Sequence, residues 1–208
     1  FTFLVSETGP KFPETDCHSV VTVARDGACQ PIPCFAEQEA CTWDDATGTG
    51  YARLVLRENN GGTWTRELFF LGENGLVIHD HVRAEAAGDF TIQCNLRIPG
   101  KVSREKDRVI SRRKKGNGDE VIFALQPIVP AAASWQVVEM DHSIHVREII
   151  GKTKPPPEDD GVKAWVERYG TEDTVVNIVR SRIHTTLKEG QGVSFLHYAH
   201  ARRPADVD

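Results

Sequence analysis

The chain reads as an all-β protein, a two-layer antiparallel β-sandwich forming a single domain over residues 1–208. Three observations point there. Apolar residues recur mostly with period two. Short Gly/Asn/Asp turn signals separate the apolar runs, and no repeat or linker divides the chain. A hydrophobic content of 39% beside 26% charged residues supports a packed core rather than a disordered chain.

The elements follow in order. FTFLV (1–5) alternates Phe1, Phe3 and Val5, and SVVTVA (19–24) ends at the turn Arg25-Asp26-Gly27. YARLVLRE (51–58), the turn Asn59-Asn60-Gly61-Gly62 and TWTRELFFL (63–71) read as a hairpin. Gly72-Glu73-Asn74-Gly75 leads into GLVIHDHVRA (75–84), and Ala87-Gly88-Asp89 into FTIQCNLRI (90–98), so a four-stranded meander is expected. RVISRRK and EVIFALQPI flank a Lys115–Asp119 turn, and WQVVEM and SIHVREII follow with a turn at Asp141-His142. GKTKPPPEDDG (151–161) reads as a Pro-rich surface loop and KAWVERYG as a further strand. TVVNIVRSRIHTTL (174–187) is ambiguous. Val175, Val179, Ile183 and Leu187 recur at helical spacing, while the β-branched residues favour a strand. GVSFLHYAHAR (192–202) closes the chain as an alternating strand.

A net charge of −5 is mild and advertises no nucleic-acid partner, and no apolar run approaches a membrane span. Four of the five cysteines (Cys17, Cys29, Cys34, Cys41 and the distant Cys94) fall within 25 positions. That suits one or two local disulfides in an extracellular or periplasmic protein, or equally a set of half-buried free thiols. Nucleotide-binding loops, the serine-hydrolase elbow and the zincin helix motif are absent from the sequence.

GLVIHDHVRA carries the sharpest chemical pattern. In an extended strand His79 and His81 share one face and Asp80 takes the other. Two imidazoles on one face can share a divalent transition metal such as Zn, Mn, Fe or Cu, and Glu85 extends the pattern toward the first half of a cupin motif. The plainer alternative is two solvated histidines. Asp80, facing inward, requires a partner, which Arg66 or Arg53 could supply. The pairs His142/His145 and His197/His200 fall on opposite strand faces and read as solvated or singly hydrogen-bonded.

The run KVSREKDRVISRRKK (101–115) offers Arg104, Arg108, Arg112, Arg113, Lys114 and Lys115 as a local surface for a polyanion, or forms a solvated hairpin tip. Trp43 and Trp165 are the tryptophans expected to be exposed and able to stack on sugar rings.

CHSVVTVARDG (17–27), CTWDDATGTGYARL (41–54), TWTRELFFLGENGLVIHDHVRAE (63–85) and IHTTLKEGQGVSFLHYAHARRP (183–204) together resemble the C-terminal β-sandwich of heparinase II/III-like polysaccharide lyases. The resemblance implies a partner helical toroid encoded upstream, β-elimination of uronic-acid polysaccharides by Tyr and His, and a chain that does not complete that chemistry alone. It also implies a zinc ion in some members, with His18 matching one of its ligands. The leading expectation is therefore an acidic-polysaccharide-binding or accessory lyase module. The alternatives are a cupin-like metal enzyme using His79 and His81, and an extracellular subunit that self-assembles.

Overall fold

A computed structural model describes residues 18–30, 36–72, 75–114, 120–141 and 175–203. The strands expected at 1–5, 143–150 and 163–170 and the Pro-rich loop lie outside the described residues. Twelve strands are present among those described. They are β1 (Val21–Arg25), β2 (Glu37–Asp44), β3 (Thr49–Asn59), β4 (Gly62–Leu71), β5 (Gly75–Ala84) and β6 (Gly88–Pro99), then β7 (Val102–Glu105), β8 (Arg108–Lys114), β9 (Glu120–Ile128), β10 (Ser134–Asp141), β11 (Val175–Leu187) and β12 (Gly192–Arg202).

They form two antiparallel sheets, a four-stranded one in the order β1-β6-β11-β10 and an eight-stranded one in the order β2-β3-β4-β5-β12-β9-β8-β7. The inner faces meet in one apolar core. Val21, Val23, Phe90, Ile92, Leu96, Ile98, Val179 and Ile183 come from the smaller sheet, and Leu56, Trp64, Ile78, Val82, Val109, Leu125 and Phe195 from the larger. This is the sandwich that period-two alternation predicts.

The expected meander holds for β3, β4 and β5 but not for its fourth strand. β6 crosses to the other sheet, between β1 and β11. Alternation and a turn signal cannot distinguish a hairpin from a change of sheet. Contacts at the connection decide it: Asp26 N donates to Asp89 O at 2.8 Å, Asp89 N donates back to Asp26 Oδ1 at 2.9 Å, and Arg25 Nη2 donates to Ala87 O at 3.0 Å. The end of β1 thus captures the start of β6, and the place beside β5 goes to β12.

The ambiguous segment is the strand β11. It is paired on one side with β10 and on the other with β6, so both rows of its backbone groups are used in the sheet. Two strands carry no apolar alternation in the sequence, β2 (EQEACTWD) and β7 (VSRE). They are the two edges of the large sheet, where charged side chains protect an open edge from further pairing.

Candidate functional site

β5 lies mid-sheet and separates two polar clusters, one on each face. Its register puts His79 opposite Glu67 of β4, and His81 opposite both Thr65 of β4 and Ser194 of β12. On the outer face these residues form a continuous chain of hydrogen bonds. Tyr51 Oη donates to Glu67 Oε1 at 2.6 Å, and Glu67 Oε2 lies 2.9 Å from His79 Nδ1. His79 Nε2 lies 3.1 Å from Ser194 Oγ, which lies 2.9 Å from His81 Nδ1.

The hydrogen bonds from Tyr51 and then His79 hold the Glu67 carboxyl below its ordinary range, so it is ionised and accepts from the His79 Nδ1–H. His79 Nε2 is then left as an acceptor. The same bond raises the Tyr51 hydroxyl. Burial, followed by the neighbouring His79 and Arg83, pushes His81 down and favours the neutral ring. A glycine at 192 leaves room for this ring, since a Cβ there would stand 2.5 Å from His81 Cε1.

The inner face holds Asp80, fully buried. Its Oδ1 accepts from Trp64 Nε1 and Arg66 Nε, both at 2.8 Å, and its Oδ2 accepts from Arg66 Nη2 at 3.0 Å and the Cys94 thiol at 3.4 Å. Arg66 also donates to Ser19 O at 2.6 Å, so the cluster fastens the large sheet to the segment leading into β1. Burial alone would raise the Asp80 carboxyl, but the Arg66 charge and the hydrogen bonds outweigh it and hold it low. Of the two partners expected for Asp80 it is Arg66 that pairs, while Arg53 pairs with Glu39 at 3.1 Å.

Donor atoms of Asp80, Cys94 and His197 lie within 4.8 Å of one another, the kind of trio that can hold a metal. Its chemistry is structural. Both oxygens of Asp80 already accept two donors each, and burial pushes the Cys94 thiol well up, so the proton stays on sulfur. His197 is fully buried rather than solvated and takes the other expected form, a single hydrogen bond, with Ser181 Oγ 3.4 Å from its Nε2. Its strand alternates inward at Phe195 and Ala199, and position 197 shares their face. Burial, partly offset by Asp80, lowers its pKa to about 4. His200 is on the outer face, as the spacing of three requires.

The other predicted residues fall as follows. Glu85 accepts from the Thr63 hydroxyl, away from the histidines, so the cupin-like trio is not assembled. Among the described residues no group of three potential metal donors includes His18. The basic run is divided by strand alternation. Arg108 and Arg112 face outward, both within reach of Glu105, at 3.4 and 3.7 Å. Arg113 faces inward, is 6% exposed and donates to Pro99 O, so it does not belong to a surface patch. Arg104 lies over the Trp135 ring at 3.9 Å, closing the sandwich where β7 meets β10. The Lys114 side chain, Lys115, Trp165, His142 and His145 lie outside the described residues.

Trp43 is 57% exposed and packs edge-on against Phe70. It sits on β2, one edge of the large sheet, whereas the basic run forms the other edge. At a strand spacing of about 4.8 Å the two are roughly 30 Å apart. Registers also place Trp43, through Gly50 and Phe70, on the face opposite His79 and Arg112. Cys29, Cys41 and Cys94 are free thiols. Cys17 and Cys34 are outside the described residues. Among the described residues no helix is long and apolar enough to cross a membrane.

No family model and no curated protein matches the sequence. Solved structures do match. A heparinase III gene product superposes with a TM-score of 0.58 at 12% identity, covering 98% of this chain and 28% of that one. The heparan sulfate lyase HepC from Pedobacter heparinus superposes with a TM-score of 0.51 at 13% identity, covering 91% of this chain and 24% of that one.

The fold is that of the heparinase III β-sandwich.

A second heparinase III structure agrees, with a TM-score of 0.50 over 89% of this chain. The chain spans about a quarter of the length of these heparinase III-type structures, with 24–28% of each covered. In this heparinase-type sandwich the Asp80–Arg66 pair is on the core side of β5 and the Glu67–His79–Ser194–His81 chain on its open side. No sequence motif contains the open-side chain, because its members come from three strands brought together by register. The one sequence signal was the H-x-H pair itself.

Proposed function

We propose that the chain is the β-sandwich module of a heparinase-type lyase, exported from the cytoplasm, and that it holds an acidic polysaccharide while a helical domain completes the catalytic centre. The observation that carries this reading is the superposition on heparinase III and heparan sulfate lyase structures over about nine-tenths of the chain or more.

The outer face of the large sheet offers the matching chemistry. Arg108 and Arg112 share one carboxylate, Glu105, while the neighbouring Asp107 carboxylate accepts from Gln126 at 2.6 Å, so two guanidiniums at that end of the face have a single ion-pair partner between them. Tyr198 and His200 stack at 5.4 Å beside them, one strand pair away. A guanidinium binds carboxylate or sulfate oxygens in two-point fashion, and flat rings cover the apolar face of a sugar.

Retention of the protein on immobilised heparan sulfate, measured at low and high salt, tests this. Salt-sensitive retention that weakens in Arg108→Ala/Arg112→Ala is the expected result, and retention no greater than on neutral dextran sinks the reading. Arg113→Ala is expected to act differently. It removes a buried charge-assisted hydrogen bond, so urea denaturation should show a loss of about 2 kcal/mol, against less than about 0.5 kcal/mol for Arg112→Ala.

A further inference from the structure

We propose that His79 and His81 form a binding site for one divalent transition-metal ion of the zinc class on the outer face of the large sheet. The decisive geometry is convergence. His79 Nε2 and His81 Nδ1 approach one point, occupied by Ser194 Oγ, at 3.1 and 2.9 Å, from rings whose centroids are 6.3 Å apart.

A second feature points the same way. The far nitrogen of His79 is held by an ionised carboxylate, Glu67 Oε2 at 2.9 Å, itself fixed by Tyr51. Metal-binding histidines carry this support almost universally, because it sets the tautomer, orients the ring and raises the basicity of the nitrogen facing the ion. The two histidines are only partly buried, so water can complete the coordination.

The Glu67–His79–Ser194 order is also that of a nucleophilic triad. The second imidazole distinguishes the two. A nucleophile needs one base at its hydroxyl, whereas here a second ring nitrogen closes on the same atom from β5, an arrangement that serves a shared ligand rather than a leaving proton. For an ion to bind, the Ser194 hydroxyl turns aside and each ring moves inward by about 1 Å to reach a 2.0–2.1 Å bond. Because the Ser194 hydroxyl donates to His79 Nε2, its oxygen accepts from the His81 Nδ1–H. On metal binding His81 gives that proton to solvent and takes one up at Nε2, freeing Nδ1 for the ion, and no other covalent bond changes. The hydroxyl then donates to a metal-bound water or to solvent. This site is separate from the glycan reading and does not depend on it.

Titration of metal-stripped protein with zinc chloride, followed by calorimetry, and with cobalt chloride, followed by visible absorption, tests the site. One saturable equivalent is expected. His81→Ala should weaken it at least tenfold and Glu67→Gln by about 10- to 100-fold, while Ser194→Ala should leave it unchanged or tighter. In the unsubstituted protein, nickel should broaden the ring resonances of His79 and His81 first among the eight histidines. That readout stands even if a variant fails to fold. Absence of saturable binding up to millimolar metal overturns the proposal. So does binding that survives His79→Ala/His81→Ala, or labelling of Ser194 by a fluorophosphonate.

Discussion

Asp80→Ala is expected to destabilise the protein by about 3–5 kcal/mol, among the largest losses any single substitution here should produce. The change leaves Arg66, 12% exposed in its side chain, as a buried cation without its partner, and strips Trp64 Nε1 and the Cys94 thiol of their acceptor. Urea denaturation at pH 7 measures the loss, and a value below about 1 kcal/mol shows that the cluster contributes little. Asp80→Leu combined with Arg66→Met should lose much less than the two single changes together. An apolar pair of similar volume avoids the desolvation cost that an unpaired charge incurs. Because the folded Asp80 carboxyl is held below its ordinary value, its contribution is complete above about pH 4 and is lost as the pH falls through the lower, folded value.

Acidification from pH 6.5 toward 4 should cost a further share of stability, through His197. Its folded pKa is lowered to about 4 from an ordinary 6.5. Between those values the unfolded chain holds a proton on this ring and the folded chain does not, so stability is complete above pH 6.5 and falls as the pH drops. At 1.36 kcal/mol per unit the loss is about 3 kcal/mol. The groups facing the ring are Asp80, which opposes the shift, and Arg66, which reinforces it, with the Ser181 hydroxyl 3.4 Å from Nε2. Burial lowers His81 and His200 as well, so a shallower slope of the same sign should remain when His197 is removed. Urea midpoints at pH 7.0, 5.5 and 4.5 should therefore decline steeply in the native protein and less so in His197→Leu. Equal slopes would show that His197 titrates normally. The Asp80 contribution falls in the lower pH range, so the two effects separate.

The burial of His197 shows what a sequence pattern can and cannot carry. Spacing alone put His197 and His200 on opposite faces, and that is how they stand. Which face points inward was decided by Phe195 and Ala199, whose strand, β12, inserts between β5 and β9. The basic run is a parallel case. Arg112 and Arg113 are adjacent and chemically identical, yet one is 51% exposed in its side chain and the other is buried, because successive residues of a strand point to opposite sides.

The candidate site was legible only in its first two members. The H-x-H pair placed His79 and His81 together because period-two geometry is local. Glu85, six residues beyond His79, looked like the third member by motif spacing. The third and fourth members are instead Glu67 and Ser194, 12 and 115 residues away from His79 in sequence. No one-dimensional spacing encodes such neighbours, since they depend on how β4 and β12 register against β5.

Residue alternation and turn chemistry are local properties of the backbone. They determined, from the sequence alone, that this chain is an antiparallel β-sandwich, where most strands lie and which residues share a face. Strand order is set by contacts between residues far apart. Only the tertiary structure decided that β6 leaves the meander, that Arg66 rather than Arg53 neutralises Asp80, and that Trp43 and the basic hairpin occupy opposite edges. The reason is physical: a strand exposes identical hydrogen-bonding edges to any neighbour, and the partner is chosen by the burial and pairing available across the whole fold.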